Sequence, residues 1–99
     1  MSRDRLFLDT VFIQAILNRR DQYHARAQLL LPRVRTANEV WTTEAVLVEV
    51  GNALSGADRL SVVDFIRRCY QTANMRIVTV DTSLLDTALT LFASRLDKA

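Results

Sequence analysis

The chain has 99 residues, 49% of them apolar and 24% charged, which is the balance of one folded domain rather than of a disordered segment. Thirteen basic residues against 11 acidic leave a net charge of +2, too small to demand a polyanionic partner, and the single cysteine, Cys69, excludes an internal disulfide. No apolar run reaches the ~18 residues that span a bilayer, and the three apolar residues after Arg5 are too few for a signal peptide. The cytoplasm is therefore the expected location, with no membrane partner. Twelve of the basic residues are arginine, and Lys98 is the only lysine. A codon bias toward arginine and a use for phosphate or carboxylate binding both account for that skew. With His24 the only histidine, no zinc-like spacing exists.

Residues 5–9 (RLFLD) form a short apolar run ending in a carboxylate, the pattern of a buried strand, and residues 10–18 continue with helical spacing. Asp21 suits the N-cap of a second helix that runs to about Leu31, where Pro32 ends or kinks it. A second strand is expected at residues 40–42, with Trp41 assigned to the core. The next helix covers residues 43–55: Thr43 caps it, Glu44 sits in its first turn, and Gly56 takes the left-handed turn at its end. Residues 61–73 open with Ser61-x-x-Asp64 and repeat apolar positions at three and four residues, a stripe that includes Cys69 and assigns it to the core. The β-branched stretch at 76–80 (RIVTV) is a third strand. Ser83-x-x-Asp86 repeats the capping pattern before a last helix whose core face is Leu84, Leu85, Ala88, Leu91 and Phe92. Short strands separated by helices predict an α/β fold in three layers, a parallel sheet flanked by helices, as a single domain without a linker.

Asp9 closes a strand and opens a helix, which puts it at the carboxyl edge of a parallel sheet, where α/β proteins bind ligands. Capping is the competing role, because Asp is a preferred N-cap. On the helix over 43–55, a step of ~100° per residue gathers Val46, Leu47, Val50, Ala53 and Leu54 on one face, puts Glu49 on its flank and turns Glu44 away. A carboxylate bordering the core needs a cation or hydrogen bonds, so Glu49 is either an arginine's ion-pair partner or a ligand, whereas Glu44 needs only water. Should that strand and helix pack side by side, Asp9 and Glu49 converge. A hard divalent cation, Mg²⁺ or Mn²⁺, then relieves their repulsion and accepts phosphate oxygens as further ligands. Two acids without a catalytic His, Cys or Lys fit metal-assisted phosphodiester hydrolysis. No Gly-rich phosphate loop follows the first strand, which argues against a nucleotide-binding domain.

Three segments carry a family likeness: Leu6-Phe7-Leu8-Asp9-Thr10 opening a helix, the run from Thr42-Thr43-Glu44 through Val48-Glu49-Val50-Gly51-Asn52 to Leu54, and the closing Ser94-Arg95-Leu96-Asp97-Lys98. Together they resemble PIN-domain proteins over residues 5–98, most of which are toxins of VapBC-type toxin–antitoxin pairs. The resemblance implies a Mg²⁺- or Mn²⁺-dependent endoribonuclease with an RNA substrate and a cognate antitoxin as protein partner. It puts Asp9 and Glu49 at the first two acidic metal positions, as the catalytic carboxylates. Thr10 matches the small hydroxyl residue that follows the first acid, an accessory toward metal-bound water or phosphate. Asp97 falls just before the family's third acidic position and is at most accessory. Family members continue past this segment into a stretch with the third acid, a helix and two more strands. The fold is accordingly expected to be incomplete at the C-terminus, and residues 5–9, central in the family, to keep one unpaired apolar edge. A homo-oligomer covering that edge is the expected consequence. The alternative function is a non-catalytic PIN-like scaffold or antitoxin-binding module.

Overall fold

The computed structural model describes residues 3–54, 56 and 59–96. Among them, strands β1 (Arg5–Phe7), β2 (Glu39–Thr43) and β3 (Met75–Val78) alternate with helices α1 (Thr10–Leu17), α2 (His24–Thr36), α3 (Glu44–Ala53), α4 (Arg59–Gln71) and α5 (Thr82–Leu96). The three strands form one parallel sheet in the order β1-β2-β3, the α/β architecture the alternating pattern predicts. Among the described residues, β1 keeps one edge unpaired. No described helix is long and apolar enough to cross a membrane.

Val40 pairs with Leu6 on one side and Met75 on the other, and Trp41 pairs with Phe7 and Arg76. Side chains alternate along a strand, so the Leu6–Val40–Met75 row faces one side of the sheet and the Phe7–Trp41–Arg76 row the other. The first side is packed: Val40 is fully buried in a cluster with Leu8, Ile13, Ala37, Val50, Leu54 and Val62, and Leu6, Val34 and Met75 pack against it. Each fully buried leucine, isoleucine or valine among them contributes about 1.5–3 kcal/mol by leaving water. Thr42, also fully buried, is satisfied by donating its hydroxyl to the Leu8 carbonyl at 3.0 Å, which ties β2 to the end of β1. The second side is open, with Phe7 58% and Trp41 39% exposed. Trp41 therefore does not join the core as its sequence suggests: the alternation that turns Val40 and Thr42 inward turns it outward, where its Nε1 donates to Glu39 Oε2 at 2.9 Å.

Several helix ends depart from their sequence signals. Asp21 holds the turn ahead of α2, accepting from the Tyr23 N–H at 2.8 Å, and the helix begins only at His24. His24 Nδ1 donates to the Ala15 carbonyl at 2.7 Å, anchoring α2 to α1. Pro32 lies inside α2, which continues to Thr36 because Val34, beyond the proline, packs on the core. At the end of α3 the Leu54 N–H returns to the Val50 carbonyl at 3.1 Å, and no described glycine has a positive φ, so the expected left-handed turn at Gly56 is not found. α4 starts ahead of Ser61, and Asp64 pairs with Arg68 one turn on at 2.9 Å instead of capping. Cys69 is buried, as its place in the stripe requires. Asp81, rather than Ser83, caps α5 by accepting from the Leu84 N–H at 2.8 Å. The intended core face of α5 is exposed, with Leu84 at 40% and Phe92 at 62%, because no other described element covers the side it presents.

Candidate functional site

Strand β1 gives out at Phe7, and the Leu8 N–H makes one last bond to the Trp41 carbonyl at 2.8 Å before the chain turns into α1. Asp9 occupies that turn. Its backbone is extended and its Oδ1 accepts from the Phe12 N–H at 2.9 Å, so it is the N-cap of α1. Capping occupies only one carboxylate oxygen, and Oδ2 has no bond to another described residue. The neighbouring strand repeats the device: Thr43 ends β2 and caps α3, its Oγ1 accepting from the Val46 N–H at 3.1 Å. Two helices thus spring from adjacent strand ends, and the partial positive charge of their N-termini favours anions there.

Glu49 reaches this edge through packing. Ile13 of α1 and Val50 of α3 are both buried in the same cluster, which lays the two helices together. Glu49, one position before Val50, is carried to the α1 side, where Thr10 Oγ1 donates to its Oε2 at 3.1 Å. Because Thr10 follows Asp9 in the chain, this bond links the second carboxylate to the residue adjoining the first. Glu49 is exposed rather than bordering the core, and it takes its bond from Thr10 rather than from an arginine. Glu44 reverses its expected role too. It is half-buried and accepts from the Tyr70 hydroxyl at 3.1 Å, because α4 packs beside α3 and brings Tyr70 to it. The Tyr70 phenol is held above its ordinary value by desolvation, then by the hydrogen bond and negative charge of Glu44.

Asp97 lies outside the described residues. Among those described, no three His, Cys, Asp or Glu side chains gather in a way that holds a metal ion. Glu49 is tied to Thr10, the neighbour of Asp9 in the chain, and two carboxylates are a donor set of the kind a small hard cation takes, with water and substrate phosphate completing its shell. A shallow hollow of about 220 Å³ opens along β1 beside Asp9, with Phe12, Leu30 and Arg33 in its wall. Sequence reasoning gave Thr10 a hydroxyl role toward water or phosphate, whereas its hydroxyl proton goes to Glu49. Only the packing of α1 on α3 makes that partner available, so no local signal announces it.

PIN domain is the family whose sequence profile matches, over residues 6–99. No curated protein matches the sequence. Among solved structures, the chain is similar to VapC20 of Mycobacterium tuberculosis, described as a Sarcin-Ricin loop cleaving toxin, with a TM-score of 0.74 and 22% identity. The match covers 89% of this chain and 66% of VapC20, and at that identity it speaks for the fold. With a profile match running from β1 to the last residue, the chain belongs to the PIN domain family.

Proposed function

We propose that this chain is a single PIN domain of the toxin ribonuclease kind, cleaving RNA phosphodiesters with Asp9 and Glu49 as its carboxylates and Mg²⁺ or Mn²⁺ as its cofactor. The observation that carries this reading is the bond from Thr10 to Glu49, which ties the second acid to the residue that follows the first at the carboxyl edge of the sheet. Asp9 would hold the cation through Oδ2 while Oδ1 keeps α1 capped, and Glu49 would hold it through Oε1 while Thr10 fixes the other oxygen. When bound, the cation supplies charge neutralisation at the phosphodiester and a water of lowered pKa. The chain's own residues orient: the Asp9 cap fixes one carboxylate against the end of β1, and Thr10 holds the other. RNA as substrate, an antitoxin as protein partner and action in the cytoplasm follow from family membership and from the cleaving toxin to which the fold is similar.

A non-catalytic scaffold that binds an antitoxin is the second reading. The observation favouring it is the absence of a third acid beside Asp9 and Glu49 among the described residues. Purified chain incubated with a structured RNA and Mn²⁺ separates the two. The nuclease reading expects cleavage that stops with a chelator and falls in Asp9→Asn and Glu49→Gln by more than the ~10–100-fold that loss of an outer-shell partner costs. Uncleaved RNA, together with a melting temperature that Mn²⁺ leaves unchanged, would favour the scaffold.

A further inference from the structure

The turn between α1 and α2 folds residues 9–30 back on themselves and lays the start of the second helix beside the end of the first. His24 Nδ1 fixes this arrangement by donating to the Ala15 carbonyl at 2.7 Å. Asp21 accepts from the Tyr23 N–H at 2.8 Å, so Tyr23 stands at the head of α2 with its backbone held. Between the helices lies a second hollow, of about 180 Å³, lined by Asp9, Phe12 and Ala15 on one side and by Tyr23, Arg26 and Ala27 on the other. All of its walls belong to this hairpin. The lining is apolar apart from Asp9, Arg26 and the Tyr23 hydroxyl.

Two of these side chains have no task within the fold. Ala27 is the residue of this part of α2 that enters the core, while Tyr23 remains 49% exposed. Neither the Tyr23 hydroxyl nor the Arg26 guanidinium has a hydrogen bond or ion pair to another described residue. Arg33, two turns along α2 from Arg26, is by contrast committed to Asp4 at 3.0 Å. No acid occupies the first turn of α2, so nothing there offsets the positive end of the helix beside Arg26.

The course of the helices sets the order of the parts. From Asp9 to Ala15, where His24 is anchored, α1 rises about 9 Å, and α2 then runs back until Leu30 lines the hollow together with Asp9. Tyr23 therefore stands at the end away from Asp9, and Arg26, one turn into α2, comes between them. An aromatic ring, a guanidinium and a carboxylate of the candidate site follow one another along one apolar groove. Aromatic rings that stack bases and cations that take the backbone phosphates are the two contacts by which proteins hold single-stranded nucleic acid. A base whose face is free can enter such a groove, and a base stacked in a duplex cannot.

We propose that the groove between α1 and α2 is a nucleobase subsite for single-stranded RNA. An unpaired base near the phosphate at Asp9 stacks on Tyr23, and Arg26 neutralises the phosphate between them. The choice of RNA as ligand rests on the nuclease reading above. Because every base has a face to stack, the subsite selects unpaired strand over duplex and tolerates different sequences.

Binding and cleavage are read separately. Anisotropy of a labelled single-stranded oligoribonucleotide on the Glu49→Gln chain, where the nuclease reading expects the strand to stay intact, measures binding. The parent chain with Mn²⁺ gives kcat and KM. Tyr23→Leu should weaken binding about 5- to 100-fold and raise KM by a similar factor with kcat little changed, while Tyr23→Phe keeps the affinity. Arg26→Gln should lower the slope of log affinity against log salt by about 0.7, the share of one phosphate on a single strand. With the complementary strand annealed, Tyr23→Leu should bind as the unsubstituted chain does. Both side chains are exposed, so melting temperatures should stay together. Cleavage that both substitutions leave unchanged overturns the subsite and keeps the nuclease reading. RNA bound through Tyr23 but never cleaved keeps the subsite and removes that reading. No RNA binding, or binding indifferent to both residues, leaves the groove to a protein partner and overturns the proposal.

Discussion

The two faces of the sheet are built from alternate residues of the same three strands, yet one is closed and the other open. Leu6, Val40 and Met75 meet α1 to α4, while Phe7 and Trp41, one residue along, are 58% and 39% exposed. Composition does not separate the rows, since the open one carries the larger side chains. Direction does: successive crossovers toward β3 bring every intervening helix to one side. Apolar character states that a residue should be covered, and connectivity states whether anything arrives to cover it.

Truncation on each face tests this contrast most strongly. Ile13→Ala, at a site 1% exposed, should cost about 2–5 kcal/mol in urea unfolding, whereas Leu85→Ala, at a site 53% exposed, should change stability by under ~0.5 kcal/mol. Comparable losses at both sites would mean that α5 is packed in solution. A smaller effect is expected at Thr42, whose hydroxyl is the polar tie within the closed side. Thr42→Val leaves the Leu8 carbonyl without its donor and should cost about 1–2 kcal/mol, with Thr42→Ser retaining the bond and most of the stability.

Asp9 stands where the closed side meets the carboxyl edge, and its two roles come apart by substitution. Asp9→Ala should lose about 1 kcal/mol with the cap, while Asp9→Asn, itself a good cap, should lose almost none. Both should abolish any rise in melting temperature caused by Mn²⁺. A rise that persists in Asp9→Asn would remove Asp9 from the cation site.

The smallest effect concerns Cys69 and Tyr70, adjacent residues of α4, the first buried and the second 58% exposed. Burial pushes the Cys69 thiol from 9.0 up to about 11. Between those values the folded protein keeps a proton that the unfolded chain has released, so this contribution to stability is complete below pH 9 and is lost as pH rises through 11. Urea midpoints should therefore decline across that window, and Cys69→Ala should flatten the decline. Tyr70, raised in the same direction, leaves a residual slope in that variant.

Much of the architecture was legible because its signals are local. Apolar runs located three strands, the stripe containing Cys69 located α4, and Thr43 marked the start of α3. Signals that competed with packing were less dependable. Pro32 did not end α2, since Val34 had a core to meet, and Ser83-x-x-Asp86 yielded to Asp81 because an acid nearer the strand end reached the free N–H first. At the candidate site the sequence singled out Asp9, Thr10 and Glu49. It misjudged the surroundings of Glu49 and Glu44, because helical phase describes one helix alone and not the neighbour that will stand beside each flank.

The sequence by itself determined the order of elements, the parallel α/β class and the family likeness, all of which rest on periodicity and residue type along a short stretch of chain. Only the tertiary structure decided that Thr10 serves Glu49, that Trp41 and the leucines of α5 stand in solvent, and that one face of the sheet is left open. Those outcomes depend on which elements arrive side by side, and that is set by the handedness of the connections and by contacts between residues tens of positions apart.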